Sequence, residues 1–480
     1  MVIRFAEFGY LMYDLTTVEI VRHCVCDIKE ENMLEKLFHL KANNTNVKTE
    51  VIGGITTFMT MAYILAVNPL ILSASGMDSQ AILMATALAA FIGTMVMAFA
   101  ANYPFALAPG LGLNAYFAYT VCGAMGYSWQ FALLAVFVEG LIFIVLSVTN
   151  VREAIFNAIP LQLKKGVSVG IGLFVAFIGL QNAGLVVNSD STLVTVINFT
   201  ENFKTAGIGA LLAVVGLLIT VILYIKNVKG SILIGILATW VLGMICEGIG
   251  LYEGLSLFPA WSEFDLGAIG KTFGQCFKAD VEFNGQFVLN LFVIIFAFLF
   301  VDMFDTLGTV IGVANKAKML DKDGKLPRIK EVLLADAVAT SAGAVLGTST
   351  TTTFVESSAG VSEGAKTGLA SVVTGLLFLL SIFLSPVFIA IPGFATAPAL
   401  IFVGFLMVTA VVEIDFEDLT EAIPAYLCLI AMPLFYSISE GICLGVISYV
   451  VINLVCGKAK KITPLMYVLA VLFVLKYIFL

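Results

Sequence analysis

The chain has 480 residues, of which 60% are apolar and only 12% are Asp, Glu, Lys or Arg, about half the roughly 25% usual in soluble domains. A net charge of -8 with no extended basic cluster excludes the electrostatic footprint of a nucleic-acid binder, and the 8 scattered cysteines show neither zinc spacing nor a disulfide framework. Apolar runs of about 20 residues, long enough to cross a hydrocarbon core of roughly 30 Å, recur after residue 50 and leave no sizeable soluble domain.

Residues 1–32 differ from the rest in their mixed polarity. His23, Cys24 and Cys26 are metal-ligating residue types, but the stretch reads better as a disordered or non-native extension, with Met33 as the initiator. It lacks the charged start, apolar middle and cleavage site of a signal peptide. Apolar segments then follow at about 51–73, 80–100, 105–121, 129–149, 166–187, 206–225 and 230–249. After a polar connection at 250–285, others follow at about 287–314, 331–347, 349–362, 367–390, 396–412, 421–436 and 440–456. The expected fold is therefore an all-α polytopic membrane protein of 14 spans, with one set of seven in 33–249 and another in 286–456. The C-terminal apolar segment within 457–480 either spans the bilayer or lies in its interface.

Lys and Arg in short loops set the orientation. Lys36, Lys41 and Lys48 precede the first span. Arg152, Lys164 and Lys165 follow the fourth, Lys226 and Lys229 the sixth, Lys316, Lys318, Lys322, Lys325, Arg328 and Lys330 the eighth, and Lys458, Lys460 and Lys461 the last. All fall on the side of the N-terminus, which is expected to be cytoplasmic in a plasma-membrane protein. The connection with Glu253, Glu263, Asp265, Asp280 and Glu282 then lies outside, and the acidic patch Glu413, Asp415, Glu417 and Asp418 inside.

The two sets carry a trace of duplication: small residues alternate from Ala85 to Gly93 and again from Ala335 to Gly343. In each set the next segment is short and interrupted, by Pro109, Gly110 and Gly112 in the third span and by the run Thr350 to Thr353 in the tenth. Seven is odd, so two such halves insert with opposite topology. Matched interrupted spans in inverted repeats point to a transporter's substrate site near the bilayer midplane. Consecutive threonines favour extended backbone, which is tolerated at that depth only where protein buries it or it lines a cavity.

Ionisable residues inside spans are costly and mark function by default. Asp302 and Asp305 sit three apart on one helical face of the eighth span, and Glu356 stands where an extended stretch meets a half-helix whose dipole favours an anion. Asn114 offers a donor and an acceptor on one amide plane, the chemistry that reads the edge of a heterocycle. Glu139, Glu247, Asp336 and Glu440 read as helix-to-helix hydrogen bonds or interfacial groups. A carboxylate accepts ring N–H groups when ionised and carries a proton when neutralised, so acids around one site can both bind and couple. No nucleophile stands beside a base, no phosphate-binding loop is present, and no histidine lies within a span to hold a metal.

The segments from Phe105 to Tyr116, from Asp302 to Thr309 and from Gly347 to Gly360 strongly resemble those of the AzgA-like purine permeases, within the nucleobase/cation symporters. The resemblance runs from about residue 33 to the C-terminus and departs at Leu111, where the family usually has Met. It implies a core domain and a gate domain, often in a homodimer, and proton-coupled uptake of adenine, guanine or hypoxanthine by an elevator-like movement. No other cofactor is implied. The family's substrate-binding residues fall on Asn114, Asp302 and Glu356, with Asp305, Gly110, Gly112, Phe354 and Ser357 in coupling or supporting places. The alternatives are an anion transporter of the same architecture and a membrane-embedded enzyme using Asp302 and Asp305 as a pair.

Overall fold

The computed structural model describes residues 33–149, 159–261, 264–279, 285–319 and 326–479. The extension 1–32 with His23, Cys24 and Cys26 lies outside them, as do Arg152, Glu263, Asp280, Glu282, Lys322 and Lys325. Among the described residues the chain is mostly helical and polytopic, with 8 helices long and apolar enough to cross a membrane and shorter apolar helices at Asn290–Met303, Leu419–Leu434, Glu440–Val455 and Pro464–Leu475. Polar N-caps start many of these helices. Asn46, Asp78, Ser128, Thr367, Asp418 and Ser437 each accept a backbone N–H of the first turn, satisfying a donor the helix leaves open.

The helices sort into two groups by what they pack against. Val47–Met61, Ser79–Val96, Trp129–Val148, Ile329–Leu346 and Gly368–Ser381 form one. Leu161–Asn182, Ile208–Ile225, Ser231–Gly248, Gly393–Val408, Leu419–Leu434 and Ile438–Val455 form the other. The long helix Gly285–Lys316 lies against the first group and touches the second through Leu161–Asn182 and Ile438–Val455. Small residues let backbones close within each group, as expected where lipid offers no hydrophobic drive to association. In the first, a β-carbon on Gly93 would stand 2.6 Å from Ala339 Cβ, so the two stretches of alternating small residues cross each other directly. In the second, Gly172 and Gly404 face each other's carbonyls; a β-carbon on either would meet the other's oxygen at 2.7 and 2.5 Å.

Ion pairs mark the two ends of the spans. Lys458 and Lys461 reach Asp418 at 2.9 and 3.0 Å, and Lys165 lies 3.6 Å from Glu413. The acidic patch and two of the basic clusters therefore share one side, and the Thr420 hydroxyl together with the two lysines holds the Asp418 carboxyl well below the usual carboxylate range. At the opposite end Lys271 reaches Asp78 at 2.6 Å and Lys204 reaches Glu253 at 2.5 Å. The 250–285 connection is anchored there: Trp240 Nε1 donates to Leu257 O at 2.9 Å and Gly274 N to Val345 O at 2.7 Å.

Among the described residues, strands occur not only in the third and tenth spans, where extended stretches are expected, but also in a hairpin. β2 (Val186–Ser189) and β3 (Leu193–Val196) form an antiparallel hairpin, after β1 (Leu107–Pro109) and before β4 (Thr351–Thr353) in chain order. Val186, Val187, Val194, Thr195 and Val196 are β-branched and suit a strand, but Val186 and Val187 also extend the apolar run of the preceding helix and so hide the change of structure.

Because each glycine of the Gly172 and Gly404 pair fills the space of the other's missing side chain, Gly404→Val should destabilise the second group by about 1–3 kcal/mol. A lowered melting temperature of purified protein in detergent is the expected result. An unchanged one would show that the crossing can relax.

Candidate functional site

The two interrupted spans meet. β1 and β4 pair antiparallel, Leu107 opposite Thr353, Ala108 opposite Thr352 and Pro109 opposite Thr351. The pairing continues beyond the strands: Gly110 N donates to Thr350 O at 3.0 Å, and Phe354 N to Ala106 O at 3.0 Å. Each strand then runs into a half-helix, Leu111–Ala115 extended by a π-helical stretch Tyr116–Ala124, and Ser357–Ser362. Ser357 Oγ accepts Ala106 N at 3.0 Å, tying the start of the second half-helix to the first strand.

Threonine hydroxyls clamp both strands to the preceding helix of their own half. Thr94 Oγ1 accepts Leu107 N at 3.0 Å and donates to Leu107 O at 3.3 Å. In the other half Thr340 Oγ1 accepts Thr351 N at 3.2 Å and donates to Thr351 O at 3.0 Å. Pro109 and Gly110 account for the interruption in the first half, since proline supplies no N–H to a helix. A β-carbon on Gly110 would lie 3.0 Å from Thr352 Cγ2, so a side chain there would press on the partner strand. At Gly112 the nearest atoms to such a carbon are Ile171 Cγ2 at 2.9 Å and Ile438 Cδ1 at 3.4 Å, both in the second group.

The polar run from Thr348 to Thr352 spreads its hydroxyls over neighbouring elements. Thr348 Oγ1 accepts from Asn68 Nδ2 at 3.0 Å, Ser349 Oγ donates to Asn114 Oδ1, and Thr350 Oγ1 donates to Glu139 Oε2 at 2.7 Å. Thr352 Oγ1 lies 2.7 Å from Thr306 Oγ1. That hydroxyl also stands 3.0 Å from Asp302 Oδ1 and 3.0 Å from Asp336 Oδ1.

This arrangement separates the candidate residues. Asp302 is fully buried and belongs to the network behind the strands, joined to them through Thr306. Asp305, one turn on, stands beside the crossing itself, its Oδ2 3.5 Å from where a β-carbon on Gly110 would be. Glu356 does not cap its own half-helix: its Oε1 accepts from Tyr63 OH at 2.8 Å. Tyr63 lies where the first span breaks between Val47–Met61 and Ile64–Leu72. The helix that carries Asp305 packs against the half-helix Ser357–Ser362 that follows Glu356. Asn114 is fully buried, and its Nδ2 has no hydrogen-bond partner among the described residues. Phe354 is buried beside the crossing. Asn114, Asp305 and Glu356 thus surround one junction, with Asp302 one hydroxyl removed.

Of the acids read as structural, Glu247 accepts Leu257 N at 2.9 Å and Glu440 pairs with Tyr477, neither of them a residue of the crossing strands. Glu139 lies at the crossing, through Thr350, and Asp336, like Asp302, is one hydroxyl removed, through Thr306. Thr306, four residues after Asp302, carried a usable signal in its helical spacing. Tyr63 carried none, since no proline or glycine marks the break of its helix.

A model of the Permease family matches residues 48–444. The chain is 44% identical to the guanine/hypoxanthine permease PbuO of Bacillus subtilis over 443 residues, 91% of this chain and 98% of that one. It is 41% identical to the adenine permease AdeP of Escherichia coli over 449 residues, 94% of this chain and 97% of that one. Among solved structures, the transmembrane domain of a cyanobacterium bicarbonate transporter, BicA, aligns with a TM-score of 0.61, covering 84% of this chain and 97% of that one. At 15% identity that likeness is one of fold.

Thr306→Val removes the hydroxyl that Asp302, Asp336 and Thr352 share in a buried setting. It should cost about 1–3 kcal/mol of stability, read as a lower melting temperature in detergent. A variant as stable as the parent would contradict a network role for Thr306.

Proposed function

The chain belongs to this Permease family, and from that premise we propose that it takes up purine bases (hypoxanthine, guanine or adenine) across the cell membrane in symport with protons. It is a transporter, so its acids serve binding and translocation rather than turnover. What supports the reading is the gathering of Asp305, Glu356 and Asn114 around the crossing of the two interrupted spans. A purine edge presents ring N–H donors beside nitrogen or carbonyl acceptors. Carboxylates accept the former, and the Asn114 amide nitrogen donates to the latter. Asp302, behind the strands, supports the site through Thr306.

Two nearby carboxylates resist being ionised together, so loading one with a proton eases the approach of the other's partner. A proton moving with a neutral base draws roughly 2.3 kcal/mol from each 100 mV of membrane potential. In this reading the first helix group, with the crossing strands, is the core domain and the second is the gate. The core slides against the gate at contacts such as Gly112 with Ile171 and Ile438. The reciprocal threonine clamps support two inverted halves of seven spans each. The shared side of the acidic patch and the basic clusters is taken as cytoplasmic, with the N-terminus on it, and two copies pair as a homodimer. An anion cargo of the kind named for BicA is disfavoured, because Asp302, Asp305 and Glu356 would repel it.

Glu356→Gln should abolish uptake of labelled hypoxanthine and adenine by reconstituted vesicles while the protein still inserts; full transport would remove Glu356 from the site. Collapse of the proton gradient by a protonophore should stop accumulation in the unaltered protein. Accumulation sustained by a sodium gradient alone would replace the coupling ion.

A further inference from the structure

Glu139 lies midway along Trp129–Val148, fully buried in an apolar span where a carboxyl group is costly unless hydrogen-bonded. Gly140 brings it to the site. The helix closes there on Ile329–Leu346, and a β-carbon on Gly140 would stand 2.8 Å from Ser341 N. The Glu139 carboxyl accepts from Thr350 Oγ1 at 2.7 Å. Thr350 belongs to the crossing, since its carbonyl accepts Gly110 N at 3.0 Å. Its neighbour Ser349 donates to Asn114 Oδ1. With that oxygen occupied, the plane of the Asn114 amide is set. Its Nδ2, buried and without a partner among the described residues, is the group left over.

We propose that Glu139 is a positioning residue of the substrate site, acting through Thr350 and Ser349 on Asn114. By accepting the Thr350 hydroxyl proton it holds the Ser349–Thr350 peptide against the first half-helix. Asn114 is thereby kept with its oxygen engaged and its nitrogen available. The site then presents one neutral donor, for a ring nitrogen or carbonyl acceptor of the base, beside the acceptors of Asp305 and Glu356. This inference rests on the reading of Asn114 as a site residue.

The test measures initial uptake of labelled hypoxanthine and adenine by the full-length protein in vesicles, with maximal rates normalised to inserted protein. Glu139→Leu and Thr350→Val should each raise KM about tenfold, with maximal rates changed by less than about threefold. Glu139→Gln, whose amide oxygen still accepts from Thr350, should recover most of that loss. In an Asn114→Ala background, Glu139→Leu should add less than about twofold, because both act on one contact. Glu139→Gln as impaired as Glu139→Leu would overturn the proposal in favour of a role for the charge or proton of Glu139. Effects of Glu139→Leu and Asn114→Ala that multiply would overturn it in favour of independent packing. If Glu139→Leu does not insert, Thr350→Val, which loses only a hydroxyl, carries the same comparison. An unaltered KM in Asn114→Ala alone would instead remove the site reading beneath the proposal.

Discussion

Backbone that leaves a helix inside a bilayer must find its hydrogen bonds in protein, because hydrocarbon supplies none and each unmet group costs several kcal/mol. Here two spans leave their helices at the same depth and satisfy each other. Leu107–Pro109 pairs with Thr351–Thr353, and Gly110 and Phe354 extend the ladder at its two ends. Thr94 and Thr340 give each strand a second attachment, to a different helix. Every other feature of the site is a consequence of holding that crossing in place.

Its first consequence is the chemistry gathered there. Polar side chains that serve the strands are already buried and oriented, so a ligand meets groups that do not reorganise on binding. Ser349 occupies one end of the Asn114 amide, and Tyr63 holds one oxygen of Glu356. The second consequence is mechanical. The strands join the first helix group to the long helix through Thr306 and Thr352, so the site is attached to that group, while Gly112 marks its close contact with the second. In the elevator-like movement proposed above, a solute held at the crossing is carried by one body and gated by the other.

Much of this was legible in the sequence. Composition and run length mark the membrane, and Pro109, Gly110 and the threonine run fall where the strands occur, because those residues disfavour or compete with helix. The small residues from Ala85 to Gly93 and from Ala335 to Gly343 lie where two helices cross at Gly93 and Ala339. What the sequence could not convey was depth and partner. A spacing of three puts Asp302 and Asp305 on one face but not at one environment; Thr306 draws the first behind the strands, while the second stands beside Gly110. The position of Glu356 at the head of a half-helix was legible, but its partner was not: Tyr63, 293 residues away in the chain, donates to its carboxyl group. Glu139 looked like one more interhelical hydrogen bond, and its proximity to the crossing depends on the approach of Gly140 to Ser341, which no local pattern encodes.

The most direct test is an experimental structure of the protein with a purine bound. The account predicts the base at the junction of Leu107–Asn114 with Thr351–Ser357, its edge facing Asn114, Asp305 and Glu356. A base seated elsewhere, for instance in the apolar recess lined by Phe296, Phe300, Ile442 and Phe473, with the crossing unoccupied, would contradict it.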